Sequence, residues 1–194
     1  MKETEITVQV YETKQDIHQK LVGNNFILVG HFVMEDNYFS KHDINTLKRM
    51  SYGQILKDSL IIRKCGDDAS IIYKNKEIDR DNNVICEEKT SLSITDIKSV
   101  LKIFLLSGLN NWCNLTQEMY LYRNYDTELM VQIIEDLGIF IEYEEDESVV
   151  GLEPKEKINV MVQKLKLLGL NIGSDFSVKK VYQKFLNENN MKNS

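Results

Sequence analysis

Carboxylates recur at every second position in two stretches of the sequence. In "KETEITVQV", residues 2–10, Glu3, Glu5, Thr7 and Gln9 interleave with Ile6, Val8 and Val10. In "IFIEYEED", residues 139–146, Ile139, Ile141 and Tyr143 alternate with Phe140, Glu142 and Glu144. A β-strand sends successive side chains to opposite faces, so each pattern gives one face to a core and the other to water or a ligand. The ordinary reading is a solvated face. The reading that carries chemistry is that such strands close on themselves, and the carboxylates of the first and last strands line a wet lumen. Other chemistries have less to work with. His18 lies in a helical pattern, His31 in an apolar strand and His42 in a polar loop, and none has the spacing of a metal ligand or an acid–base partner. No nucleophile with an ordered base stands out around a Ser or Cys. Gly23, Gly108, Gly138 and Gly169 end helices or turn strands and do not form a phosphate-binding loop.

The elements that must position the carboxylates follow from periodicity. After the first strand, "TKQDIHQKLVG" carries Ile17, Leu21 and Val22 at helical spacing and stops at Gly23. Strand patterns follow in "NFILVGHFVMEDNYF", "DSLIIRKC", "ASIIYKNKE" after a Gly-Asp-Asp turn, and "NVICEEKTSL" after the polar "DRDNN"; the last three read as a meander. "SITDIKSVLKIFLLSG" predicts a helix with Thr95 as N-cap, Gly108 at its end, and Ile97, Val100, Leu101, Phe104 and Leu105 on one face. Strands resume in "WCNLTQEMYLYRN", "ELMVQIIEDLG" and "IFIEYEEDE". Two more helices, "PKEKINVMVQKLKLLG", opened by Pro154, and "SVKKVYQKFLNEN", precede an Asn/Lys-rich end. About eight strands with a few helices imply an antiparallel α+β domain. With no internal repeat and no Pro-, Gly- or Ser-rich linker, a single domain over 1–194 is expected.

Composition narrows the function classes. A hydrophobic content of 42% supports a sizeable core, and a formal charge of -6 without a run of Lys or Arg argues against an extended nucleic acid or a membrane surface as partner. Any anion must therefore meet a local basic patch. Cys65, Cys86 and Cys113 are far apart and form no CxxC pair, which argues against a disulfide framework or structural zinc and for reduced, mostly buried thiols. No segment approaches the roughly 20 apolar residues of a membrane span, so a soluble cytoplasmic protein is expected.

The order of these pieces resembles the CYTH family, the triphosphate-tunnel proteins that include class IV adenylate cyclases and thiamine triphosphatases. "EITVQV" stands where that family has its ExExK strand, "EDNYF" resembles its Asp-Thr-Tyr-Phe segment, "SLIIRK" its Leu-Arg-Ile-Arg strand and "IIYKNKE" its Tyr-Lys-Gly segment. "EDLGIFIEYEED" is similar to Gly-Leu-Gly-x-Phe-x-Glu-Ile-Glu, and "SVKKVYQKFL" to the closing Ser-Tyr-x-x-Leu-Leu helix. The resemblance implies an eight-stranded antiparallel β-barrel with flanking helices. Basic side chains would grip a triphosphate and glutamates would hold Mg²⁺ or Mn²⁺. A triphosphate carries about four negative charges near neutral pH, so it needs several Lys or Arg contacts and a divalent cation on oxygen ligands.

Carried over residue by residue, the resemblance keeps the acidic positions and loses most basic ones. Glu5 fits the first strand, paired with Glu3 in one register or followed by Thr7 in the other, and neither register supplies the lysine, which falls on Gln9 or Thr7. Ile61 replaces one arginine while Arg63 survives, and Lys74 is kept. Val84 stands at the arginine of the Arg-x-Glu-x-Glu strand, with Cys86 and Glu88 at its glutamates, a register one residue over being open. Gln117 and Met119 replace a lysine and an arginine, Tyr122 is retained, and Gln132 stands where aspartate is usual. The implied ligand-binding set is Arg63, Lys74, Glu5, Glu88 and Tyr122, and the metal set, if the protein is metal-dependent, is Glu5, Glu142 and Glu144. Each lost charge-assisted contact removes roughly 1.5–3 kcal/mol, so the triphosphate chemistry is weakened unless Lys64, Lys76, Lys89 or Arg123 turns inward. Three functions follow: a tunnel protein binding a nucleotide or other phosphorylated small molecule with catalysis weakened or lost; an active class IV-like cyclase or triphosphatase; and a non-catalytic interaction scaffold. The resemblance also implies a homodimer.

Overall fold

The computed structural model describes residues 2–79, 83–125 and 127–189. Its elements run β1 (Lys2–Glu3), β2 (Glu5–Val10), α1 (Lys14–Gly23), β3 (Ile27–Ser40), α2 (Ile44–Leu47), α3 (Tyr52–Leu56), β4 (Asp58–Cys65), β5 (Asp68–Ile78), β6 (Val84–Ile94), α4 (Ile97–Leu106), β7 (Asn110–Asn124), β8 (Thr127–Ile134), β9 (Gly138–Glu144), α5 (Pro154–Leu167) and α6 (Lys180–Glu188). This is the expected antiparallel α+β class. The polar turn expected at 80–82 and the Asn/Lys-rich end at 190–194 lie outside the described residues.

Two compact units divide the chain. Among the described residues, the first holds Val33–Thr116 and residues 180–189. Its strands β6, β5, β4 and β3 are neighbours in that order. The register sets Asp36 opposite Arg63, Tyr38 opposite Ile61, Ser59 opposite Lys74 and Lys76 opposite Glu87. Period-two alternation therefore gathers Asp36, Tyr38, Arg63, Lys74, Lys76 and Glu87 on one sheet face. The other face carries Phe39, Leu60, Ile62 and Ile71, which pack with Ile97, Val100 and Phe104 of α4. Phe39 and Phe104 meet edge to face with centroids 5.1 Å apart.

The second unit holds Lys2–Phe32 and Gln117–Lys179, with β7, β8, β9 and β2 in that order. Its apolar face carries Ile6, Val8, Val10, Leu129, Val131, Ile141 and Tyr143, packed with Ile17 and Leu21 of α1 and Met161 and Leu165 of α5. Full burial of such side chains stabilises by about 1.5–3 kcal/mol each. The remaining edge of β2 is not left bare. Residues 171–178 run along it, with Tyr11 N–H donating to Asn171 O at 2.9 Å, Gly173 N–H to Gln9 O at 2.8 Å and Val178 N–H to Thr7 O at 3.1 Å. A strap of this kind removes the unpaired backbone groups that make an edge strand sticky.

Local chemistry moves several expected details. The N-cap of α4 is Asp96, which accepts from Ser99 N–H, rather than Thr95. On α4 the inward stripe is the buried Phe104 with the half-buried Ile97 and Val100, whereas Leu101 and Leu105 are exposed. Val22 of α1 likewise faces solvent. The short helices α2 and α3 had no amphipathic period to reveal them, although Asp43 caps one and the Ser51/Gln54 capping box opens the other.

Candidate functional site

On the polar face of the second unit, β2 and β9 pair so that Glu5 stands opposite Glu144 and Thr7 opposite Glu142. Glu5, Glu142 and Glu144 each bring a carboxylate oxygen within 4.8 Å of the others. Gln132 on β8 donates to Glu142 Oε2 at 3.0 Å and fixes one of the three. The same face continues through Thr7, Met119, Gln132 and Gln117, all buried. Gln117 carries a buried side-chain oxygen with no hydrogen-bond partner among the described residues. Three converging carboxylates with neighbouring amides are the donor set of a hard, oxygen-seeking divalent cation, and their mutual repulsion falls when a cation is shared. The residues thus fit the expected Mg²⁺ or Mn²⁺.

The polar face of the first unit carries the cations. Arg63 forms a two-pronged contact with Asp36, Nε to Oδ1 and a terminal nitrogen to Oδ2, both at 2.7 Å. Asp36 is 1% exposed, so this fork is shielded on its acidic side. Lys74 Nζ lies 2.5 Å from Glu87 Oε1 and Lys76 Nζ lies 3.3 Å from Glu87 Oε2. Glu87 is 3% exposed. Burial alone would push its carboxyl up, but Lys74 and Lys76 outweigh that and hold it below the usual carboxylate range. Beside them, burial drives the Tyr38 hydroxyl well above its ordinary value, with Asp36 adding to the effect and Lys74 and Arg63 opposing it. The Tyr38 ring meets Trp112 edge-on at 5.6 Å, and Trp112 meets Phe185 of α6 at 5.4 Å. Arg63, Lys74 and Lys76 here meet two buried carboxylates, Asp36 and Glu87.

Arg63 and Lys74 are therefore together on one face, and Glu5, Glu142 and Glu144 converge on another. Glu88 and Tyr122 are placed differently. Glu88 pairs with Asn75 across the ladder and is exposed, while its neighbour Glu87 takes the place beside the lysines. Glu87 takes that place because it is the direct ladder partner of Lys76; a bulge between Glu77 and Ile78 shifts the register only beyond that pair, towards Val84. Tyr122 stands opposite Leu129 on the apolar face and its hydroxyl lies 3.0 Å from His18 Nδ1. Of the four alternative cations, Lys76 joins Lys74. Lys64 pairs with Glu35, Arg123 pairs with Glu128, and Lys89 stands opposite Lys74 on the same sheet face but is exposed. Asp36 is in mid-strand and engaged by Arg63. The signal for Glu87 in the sequence is the Lys74–Lys76 spacing of two, which puts two ammonium groups on one face and calls for an acidic partner on the facing strand.

No protein-family model matches the sequence. The chain is 26% identical over 183 residues to a candidate adenylate cyclase of Methanocaldococcus jannaschii, MJ0240, covering 94% of this chain and 97% of that one. Among solved structures it is similar to the PH1012 protein of Pyrococcus horikoshii OT3, with a TM-score of 0.68, 18% identity and coverage of 90% and 96% of the two chains. It is also similar to a candidate adenylyl cyclase from Hippeastrum with a dominant triphosphatase activity, with a TM-score of 0.60, 12% identity and coverage of 98% and 97%. The order of the strands, the carboxylates of β2 and β9 and these similarities converge: the chain has the CYTH, or triphosphate-tunnel, fold.

Proposed function

We propose that this protein binds a nucleotide or another phosphorylated small molecule, with Arg63, Lys74 and Lys76 of the first unit as contacts for phosphate oxygens and with turnover well below that of a cyclase or triphosphatase, and that Glu5, Glu142 and Glu144 of the second unit can hold a divalent cation. One observation carries the reading: the cations that remain are held by buried carboxylates, Arg63 by Asp36 and both lysines by Glu87. Uncharged Gln9, Ile61, Val84, Gln117 and Met119 stand where the resemblance would place further cations. Phosphoryl transfer depends on positive charge positioned where charge develops, so a depleted set lowers turnover more than it lowers recognition. Mg²⁺ or Mn²⁺, when bound, would neutralise phosphate charge and polarise the phosphorus. Arg63 would orient one phosphate through its planar fork, and Lys74 and Lys76 would supply point charges to it.

The carboxylate triad favours a second reading, an active metal-dependent cyclase or triphosphatase. Thermal unfolding with ATP, thiamine triphosphate and inorganic triphosphate, each with and without Mg²⁺, separates the two when combined with a steady-state assay. Stabilisation without turnover supports binding alone. Turnover in the ordinary range of roughly 1–1000 per second establishes the enzyme. Absence of stabilisation by any phosphorylated ligand overturns both. Pairing into a homodimer through α4, whose Leu101, Ile103, Leu105 and Leu106 are exposed, belongs to the same reading. Light scattering at 22.6 kDa over a wide concentration range overturns that part.

A further inference from the structure

We propose that Glu87 is a built-in competitor for phosphate, a tethered carboxylate that occupies the lysine pair until a more highly charged anion displaces it. The proposal rests on the reading of Lys74 and Lys76 as phosphate contacts. Its own support is geometric. Glu87 lies on β6 directly across from Lys76 on β5, on the same sheet face as Lys74. Its two oxygens are divided between the two lysines, at 2.5 Å and 3.3 Å. A carboxylate held closely by one ammonium group at Oε1 and ion-paired with a second at Oε2, which takes no hydrogen bond among the described residues, sits between the same two charges that a phosphate would meet.

The burial of this trio gives the competition its strength. Lys74 and Lys76 keep only 14% and 17% of their side-chain surface, and Glu87 keeps 3%. In so shielded a place a missing anion is costly, because each ammonium would be left desolvated. A monoanionic ligand gains little over Glu87, since it replaces one unit charge by another and must also strand the displaced carboxylate. A phosphoryl group with two or more charges gains a second attraction to the same lysines. Glu87 thereby sets a threshold of ligand charge, discriminating phosphate from carboxylate compounds.

The test uses titration calorimetry of the full chain with inorganic triphosphate and with acetate, on the unaltered protein, Glu87→Gln and the charge-matched control Asp67→Asn in the exposed turn before β5. We expect triphosphate to bind Glu87→Gln at least tenfold more tightly than the unaltered protein, acetate binding to become measurable only in Glu87→Gln, and Asp67→Asn to change either affinity less than twofold. If triphosphate binds the unaltered protein and Glu87→Gln binds it equally or more weakly, the competitor role is overturned and the phosphate reading stands. If triphosphate binds neither, both are overturned. Should Glu87→Gln fail to fold, the carboxyl ¹³C resonance of Glu87 in the unaltered protein decides: it shifts on saturation with triphosphate if the carboxylate is displaced, and a resonance that stays in place overturns the role.

Discussion

Asp146, just past β9, accepts hydrogen bonds from Thr127 Oγ1 at 2.9 Å, Tyr143 OH at 2.6 Å, Ser148 N–H at 3.0 Å and Lys164 Nζ at 3.0 Å. It ties β8, β9 and α5 of the second unit to one carboxylate. Burial would raise its pKa, but the contacts with Ser148, Tyr143, Lys164 and Thr127 outweigh burial and hold it far below the ordinary range. The neighbouring Glu145 is lowered in the same way, burial being outweighed by Lys157 and Thr4. Because both carboxyls are depressed in the folded state, their stabilisation is fully present above the ordinary carboxylate range near pH 4. It is lost as pH falls through their folded values. Asp146→Ala is expected to cost about 2 kcal/mol at pH 7 in urea unfolding. Asp146→Asn should flatten the fall in urea midpoint between pH 5 and pH 3, and an unchanged slope would show that Asp146 does not carry the acid sensitivity. The thiols separate by environment. Burial, with Glu188 adding and Lys184 opposing, pushes the Cys113 thiol up to about 12, whereas Cys65 is only half-buried. Labelling of native protein at pH 8 is expected to modify Cys65 ahead of Cys86 and Cys113, with all three reacting in urea; mass spectrometry of the adducts reads the order.

At the scale of elements, Gly138 shows how backbone geometry supports the candidate site. It opens β9 at φ +113°, a conformation side chains rarely adopt, and an added Cβ would lie 3.2 Å from Gln9 Nε2, which itself donates to Leu137 O at 3.2 Å. Gly138→Ala is expected to cost about 1–3 kcal/mol and to weaken any stabilisation by Mn²⁺, since β9 carries Glu142 and Glu144. Thermal unfolding with and without the cation checks both effects. Strands and long helices were legible because hydrophobic period and length spoke together: "DSLIIRKC" coincides with β4 and Pro154 opens α5. The carboxylate triad was legible for the same reason, strict alternation in β2 and β9. The Glu87 contact was legible only as an open register one residue over, because alternation gives the two faces of β6 but not which of them meets Lys74 and Lys76; the pairing of Lys76 with Glu87 settles it. Tyr122 was misplaced because aromatic residues fill both faces of a strand, and parity with Tyr120 on the apolar face outranks a motif match. Partner choice, as at Asp36, is a tertiary fact that periodicity cannot carry.

For the molecule as a whole, the decisive property is where charge is missing. Gln117 and Met119 on β7 are buried at 2% and 3% exposure, at positions where the resemblance would place a lysine and an arginine. Restoring them with Gln117→Lys and Met119→Arg puts two charges into a face that now holds amides and a thioether. A buried charge without a partner is costly, so the double variant should melt well below the unaltered protein when no ligand is present. A triphosphate would supply the missing counter-charge. Ligand that binds only the folded state at 100 times its dissociation constant stabilises by about 2.7 kcal/mol, and tighter binding at the same concentration adds about 1.4 kcal/mol per tenfold. The double variant is therefore expected to show a larger rise in melting temperature with inorganic triphosphate and Mg²⁺ than the unaltered protein does. Turnover should stay low because Gln9, Ile61 and Val84 still leave the polyanion short of charge. An equal or smaller rise in the double variant would mean that these two positions do not meet the phosphate chain, and that the charge carried by β7 does not govern affinity for a triphosphate.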